Sequence, residues 1–283
     1  MAIAAAVVAI LIWSSLATLS LSLRGVPPLF LVGAALCIGG LLSLPWARQW
    51  TLRWSVVALG CYGMLAYHLL FVLALRTAPP ISANLVHYTW PMLIVLLAPL
   101  FSRERRIQGH HVAGAVCGFL GAALAILGGK SSADIEWSWG YAVALAAAVV
   151  WSTYSLSLGR LGKGATADVG LACLVSGAAC LLLHALFEPA VNVSDTQGAA
   201  LLALGIGPMG AAFYLWAYAL KRGDPRVIGV LANATPLLST AMLATAGHGV
   251  ITPTLIAATV LVSAASLLVL RGHRVTKPAV ATP

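Results

Sequence analysis

Charge is what this chain has least of. Only 8% of its 283 residues are charged, and 7 of them are acidic. A soluble domain carries roughly 25% charged residues, so too little charge is present to coat a surface facing water. That shortage excludes an ordinary soluble enzyme or binding module. Cysteine motifs are missing too. Cys37, Cys61, Cys117, Cys173 and Cys180 sit inside apolar runs, with no CxxC pair and no histidine at ligand spacing. They read as small buried hydrophobes, and neither a metal nor a cofactor is expected. No HExxH, no GxSxG and no nucleophile at a suggestive distance from a base is found, so the chain is not expected to be an enzyme. The polar–apolar alternation of a transmembrane β-barrel is lacking as well. A basic n-region is absent from the N-terminus, so the first apolar run reads as a spanning helix and not as a cleaved signal.

Long apolar runs are what the chain has in quantity. Hydrophobic residues make up 61% of it and the mean hydropathy is +0.97. One span takes roughly 20 apolar residues. The expected fold is an all-α polytopic membrane protein with ten transmembrane helices, near 2–22, 27–46, 55–76, 79–101, 108–128, 139–159, 167–187, 199–220, 227–247 and 250–270. Pro27, Pro79 and Pro225 mark helix starts, where a missing N–H costs little.

The basic residues are sorted by side. On one side fall Arg48, Arg53, Arg103, Arg105, Arg106, Arg160, Lys163, Lys221, Arg222, Arg226, Arg271, Arg274 and Lys277; on the other, only Arg24, Arg76 and Lys130. A split of 13 to 3 accounts for all 16 Lys and Arg, and the positive-inside rule then puts both termini in the cytoplasm. The net charge of +9 is thus an orientation signal, and no nucleic-acid partner is expected. Asp134, Glu136, Glu188 and Asp195 read as outside-loop acids, and Glu104, Asp168 and Asp224 as inside-loop acids, which leaves none for the membrane interior.

The chain also repeats. A shift of 145 residues sets Gly60 on Gly205, Met64 on Met209, Arg76 on Lys221, Pro80 on Pro225 and Pro91 on Pro236; a shift of 138 sets Trp13-Ser14-Ser15 on Trp151-Ser152-Thr153. The unit is five spans, and an odd number reverses the second copy in the membrane. Two inverted five-helix repeats follow, at 1–130 and 131–270, with a basic cytoplasmic tail at 271–283. Inverted repeats are common in secondary transporters, whose site lies between the halves and is exposed alternately. In the last span of each half Gly114, Gly118 and Gly121 match Thr259, Ser263 and Ser266. Small residues at that spacing serve close helix packing, so these two spans are expected to pack on each other; a glycine-rich hinge is the alternative.

One span is unusually polar. In "NLVHYTWP", Asn84, His87, Tyr88 and Pro91 share a helical face, and polar groups in a span point into a bundle or a wet cavity. Pro91 and Pro236 are expected hinges. Trp90 belongs to the same stretch, and Trp13, Ser14, Tyr67, His68, Trp151, Ser152, Tyr154, Phe213, Tyr214, Trp216, Asn233 and Thr235 lie at similar depth in other spans. Indole and phenol rings at mid-membrane offer flat apolar walls with one polar tip. The candidate substrate site therefore suits a small amphipathic, partly aromatic solute, and it lacks the Lys/Arg cluster that a phosphorylated substrate would want.

"HYTWPMLIVLLAPLF" and "LIWSSLATLS" together resemble the EamA-type drug/metabolite transporter superfamily, nearest to its YddG-like branch of aromatic amino acid exporters, over the whole chain. The resemblance implies export of aromatic and large neutral amino acids through a bacterial-type inner membrane, from a central cavity lined by spans 1, 3, 4, 6, 8 and 9. With no acid in a span, facilitated transport by alternating access is expected. Export of other metabolites or cationic drugs, proton-coupled through a histidine, is the alternative. The expected partners are an amino acid or similar solute and membrane lipid, with the monomer as the functional unit.

Overall fold

A computed structural model describes residues 1–51, 53–90, 93, 97, 100–101, 109–127, 138–158, 168–222, 231–232, 234–248 and 250–271. Pro225, Lys130, Glu104, Asp134, Glu136 and Asp224 lie outside the described residues, as do Pro91 and Asn233.

Where the chain is described it is almost wholly helical, and its breaks have local causes. Helix α1 (Ala2–Ser14) passes through Ser15 into α2 (Leu16–Ser22). Ser14 and Ser15 donate back to the carbonyls of Ile10 and Ile12 at 2.8 and 2.7 Å, a back-bonding that bends helices. Helix α3 (Pro28–Leu41) carries proline in its first turn. It is shorter than the expected span. Beyond it Ser43 Oγ takes the Gly40 carbonyl at 2.8 Å, and Leu44–Gln49 tightens to a 3-10 turn around Pro45, which cannot donate to a helical ladder.

Two longer rods follow one plan. Helix α4 (Trp54–Cys61), a π turn (Tyr62–Ala66) and α5 (Tyr67–Thr77) run on from one another. Between them and the second rod come α6 (Pro80–His87), α7 (Gly109–Leu127), α8 (Trp139–Leu158) and α9 (Asp168–Phe187). Helix α10 (Asp195–Ile206), a second π turn (Gly207–Ala211) and α11 (Ala212–Arg222) form that rod. It opens on a capping box in which Ser194 and Gln197 satisfy each other's backbone N–H. Helices α12 (Thr235–Thr245) and α13 (Pro253–Arg271) complete the chain. Among the described residues five stretches are long and apolar enough to cross a membrane: Ala2–Ser22, Trp54–Thr77, Trp139–Ser157, Asp168–Phe187 and Asp195–Ala219.

Close packing rests on small residues, as it must where lipid is as apolar as the helix surface. The two most extensive helix contacts are α7 with α13 and α3 with α9. In the first, a Cβ built on Gly121 would lie 2.9 Å from Val262 Cγ2 and 3.1 Å from the Ala258 carbonyl oxygen. Gly114 and Gly118 are buried in α7, and Thr259 and Ser263 are buried in α13. In the second, a Cβ on Gly177 would meet Cys37 Sγ at 2.6 Å and the Gly33 carbonyl oxygen at 2.8 Å. Ser266 lies in α13.

Polar contacts fix the ends. At one end the Arg76 guanidinium donates to the carbonyls of Leu23 and Val26 at 3.1 and 2.5 Å, holding the α2–α3 turn. There too the Glu188 carboxylate accepts from the Leu29 and Phe30 N–H groups at 2.9 and 3.2 Å, and His184 Nδ1 lies 3.0 Å from its second oxygen. An acid at that place complements the positive helix N-terminus. At the other end Asp168 departs from its expected place in a loop. It is the first residue of α9 and is buried, with Oδ1 accepting from Thr51 N–H at 2.6 Å. Among the described residues its Oδ2 has no partner.

Candidate functional site

The polar stretch of the fourth expected span explains its composition through a break. Helix α6 stops at His87, Tyr88 and Thr89 form a turn, and Trp90 re-enters helical geometry. Thr89 Oγ1 takes the Val86 carbonyl at 2.8 Å, and Ser152 Oγ of α8 reaches the Trp90 carbonyl at 2.9 Å. Carbonyls released by a break within a membrane must find such partners. Helix α12 starts at the equivalent register: Ala234 is a turn residue and Pro236, buried, stands in the first turn. The chain thus breaks just before both repeat-related prolines.

Around the first break the helices leave a small, partly open cavity. Trp13, Tyr67, His87, Tyr88, Trp90 and Trp151, all expected at the site, form its walls. Leu16, Phe71, Phe213, Ala232 and Thr235 complete them. Residues from both sequence halves therefore converge. Trp151 is the hub, with ring centroids of Tyr67 at 4.9 Å, Phe213 at 5.7 Å, and Trp13 and Trp90 each at 6.4 Å. Edge-on and tilted pairs of this kind are worth about 0.5–1.5 kcal/mol each beyond their buried area. The His87 ring packs 4.7 Å from Phe71, and neither of its nitrogens has a hydrogen-bond partner among the described residues. A wall so built favours a flat apolar group and offers few places for a charge.

Other expected residues stand behind the wall. Ser14 is spent on its own helix. His68 is fully buried with Nδ1 2.6 Å from the Met64 carbonyl oxygen. Asn84, also fully buried, donates to Ser239 Oγ at 2.8 Å and so ties α6 to α12. The Tyr154 ring packs on Trp151 at 5.5 Å, and Tyr214 donates to the Gly39 carbonyl at 3.0 Å. Leu16, Phe71 and Ala232 were not expected at the site. Helical spacing carried the signal for two of them, since Leu16 follows Trp13 by three residues and Phe71 follows Tyr67 by four.

Comparison with known proteins agrees with this architecture. The sequence pattern of the EamA-like transporter family matches residues 1–127 and again 138–271. The chain is 41% identical over 249 residues to the aromatic amino acid exporter YddG of Ancylobacter novellus, covering 84% of this chain and 86% of that one. It is 27% identical over 256 residues to the aromatic amino acid exporter YddG of Salmonella typhimurium, with 84% and 85% covered. A solved crystal structure aligns with a TM-score of 0.76 at 37% identity, over 98% of this chain and 99% of its own. The resemblance read from the Tyr-x-Trp-Pro stretch is thereby borne out: the chain is a multi-pass membrane protein and belongs to the EamA-like transporter family.

Proposed function

We propose that this protein exports aromatic and large neutral amino acids across a bacterial-type inner membrane, by alternating access and without energy coupling. The aromatic-walled cavity carries the reading. Its rings come from both halves of the sequence, and the Ancylobacter novellus relative is itself an aromatic amino acid exporter. Trp13, Tyr67, Phe71, Tyr88, Trp90, Trp151 and Phe213 receive the side chain of the solute, while His87 and Thr235 supply polar atoms for its charged end.

The architecture proposed with it has ten spans in two inverted repeats, 1–130 and 131–270, a basic tail at 271–283, both termini in the cytoplasm, and the monomer as the working unit. The twofold match of the family pattern supports the repeat, as do the two π turns at Tyr62–Ala66 and Gly207–Ala211, which the shift of 145 superposes. Pro91 and Pro236 are the hinges of the movement, with the break before Pro236 and the Tyr88–Thr89 turn in support. The test is counterflow of labelled phenylalanine, tryptophan and leucine in proteoliposomes. Saturable exchange of these, with little exchange of alanine or glutamate, is expected. Exchange confined to aromatic cations would turn the reading to a drug exporter, and no exchange of either class would overturn it.

A further inference from the structure

The two π turns differ in one contact that the repeat makes informative. A π turn lengthens the hydrogen-bond register by one residue, leaves backbone groups loosely paired, and is frequent at functional sites. In the second turn Pro208 has no N–H to give. Its own carbonyl accepts from Trp13 Nε1 at 3.1 Å. One indole therefore clips α1 onto the middle of the α10–α11 rod. By the repeat, the counterpart of Trp13 is Trp151, and the counterpart of Pro208 is Gly63, inside the first π turn.

That second clip is open. The Trp151 N–H has no hydrogen-bond partner among the described residues, and its ring lies on the cavity wall. The place beside Gly63 is taken instead by Tyr154, whose ring carbon Cδ2 would lie 2.3 Å from a Cβ built on Gly63. A ring can rest on that backbone only because residue 63 has no side chain. The first π turn has its own local partner, since His68 Nδ1 reaches the Met64 carbonyl oxygen at 2.6 Å. The equivalent position just after the second turn holds Phe213, which offers no such bond. The two halves are thus caught in unlike states around like machinery.

We propose that Trp13 and Trp151 are alternating latches. In the state described here Trp13 holds Pro208 and Trp151 is free. In the opposite-facing state the Trp151 N–H donates to the Gly63 carbonyl, Tyr154 swings off Gly63, and Trp13 lets Pro208 go. Inverted repeats interconvert two access states by exchanging the conformations of their halves, and each latch would close one of them. The inference rests on the two-repeat, alternating-access reading above.

The test uses the full chain with 15N-labelled tryptophan indoles in lipid nanodiscs, and follows the indole protons by NMR. Trp13→Phe and Trp151→Phe assign the two signals and remove one donor each while keeping a ring. Without substrate, the Trp13 proton should exchange slowly with water and the Trp151 proton quickly. In Trp13→Phe the Trp151 proton should become protected, as loss of one hydrogen bond shifts the population by roughly five- to tenfold. In Trp151→Phe the Trp13 proton should exchange more slowly still. A Trp151 proton that stays fast in Trp13→Phe, or a Trp13 proton that exchanges faster in Trp151→Phe, would overturn the latches. Counterflow on the same preparations separates the two ideas. Active exchange with no reciprocity sinks the latches alone, and absent exchange in the wild type sinks the transport reading.

Discussion

At the scale of single residues, the site shows how polar groups are tolerated at mid-membrane: most are spent on partners and few face the cavity. Asn84 and Ser239 are both fully buried and bond each other across α6 and α12 at 2.8 Å. Ser239→Ala strands the Asn84 amide, and a stranded buried group costs about 1–3 kcal/mol. The melting temperature in detergent should fall accordingly, while Asn84→Leu combined with Ser239→Ala should recover much of the loss, since removing both partners costs less than removing one. The wall residues should behave differently. Tyr67→Ala, Phe71→Ala and Trp151→Ala are expected to insert and fold, and to weaken half-saturation for phenylalanine by about tenfold, the scale of one or two aromatic contacts. Leucine, which has no ring to stack, should lose less. Equal losses for both solutes would assign these rings to packing and not to recognition. The sequence singled out Trp13 and Trp151 because they sit in mid-span, where an interfacial belt cannot explain them. It could not separate Tyr67, on the wall, from His68, behind it. Adjacent helical residues point about 100° apart, and nothing in composition says which direction faces the cavity.

Whole elements were more legible than their ends. The apolar runs placed each described α-helix on an expected span to within a few residues, Asp195–Ile206 starting four residues ahead of the expected 199–220, and the repeat register placed the paired breaks before Pro91 and Pro236. What local pattern could not give was the interruption by contact. Helix α3 ends early because Ser43 and Pro45 close it, and the π turns show no signal in hydropathy at all. Partners across the bundle were equally hidden. Glu188 read as an outside-loop acid, whereas it caps α3, to which it is joined only by the fold. Glu188→Ala should leave the Leu29 and Phe30 N–H groups without that acceptor and lower stability by about 1–3 kcal/mol. Glu188→Gln, which keeps one acceptor oxygen, should lose less. A pair of variants with equal melting temperatures would mean that water serves the helix end as well as the carboxylate does. The small residues make a sharper case. A Cβ on Gly39 would lie 2.1 Å from the Met209 carbonyl oxygen, a backbone atom that cannot step aside as a side chain can. Gly39→Val should therefore abolish recovery of folded protein, whereas Gly109→Ala, where a built Cβ meets nothing within 4 Å, should be neutral.

For the molecule as a whole, the distribution of charge bears on both orientation and driving force. Arg24, Arg76 and Glu188 gather at one end through contacts with the α2–α3 turn. Arg222 and Asp195 stand at opposite ends of the α10–α11 rod, and both are exposed. If both termini are cytoplasmic, as proposed, a cysteine placed at Asp195 should react with an impermeant maleimide added to intact cells, and one placed at Arg222 should react only after permeabilisation. The reverse pattern would invert the topology. Driving force follows from where acids are not. Within the described candidate spans, Asp168 and Asp195 occur only as first residues, and no acid lines the cavity. Asp168 is held at the start of its helix by the Thr51 N–H and is not among the residues that line the cavity. A carboxylate-driven proton exchange would need an acid that solute and proton can reach in turn, and the cavity offers His87 as its titratable imidazole instead. The expected behaviour is facilitated transport, in which the solute's own gradient drives export. Flux should persist when the proton gradient is collapsed. Asp168→Asn should transport at near the parent rate with reduced stability, and His87→Gln should change affinity without stopping flux. Uphill accumulation of labelled phenylalanine under an imposed pH gradient, lost in His87→Gln, would reverse this conclusion and make His87 the coupling site.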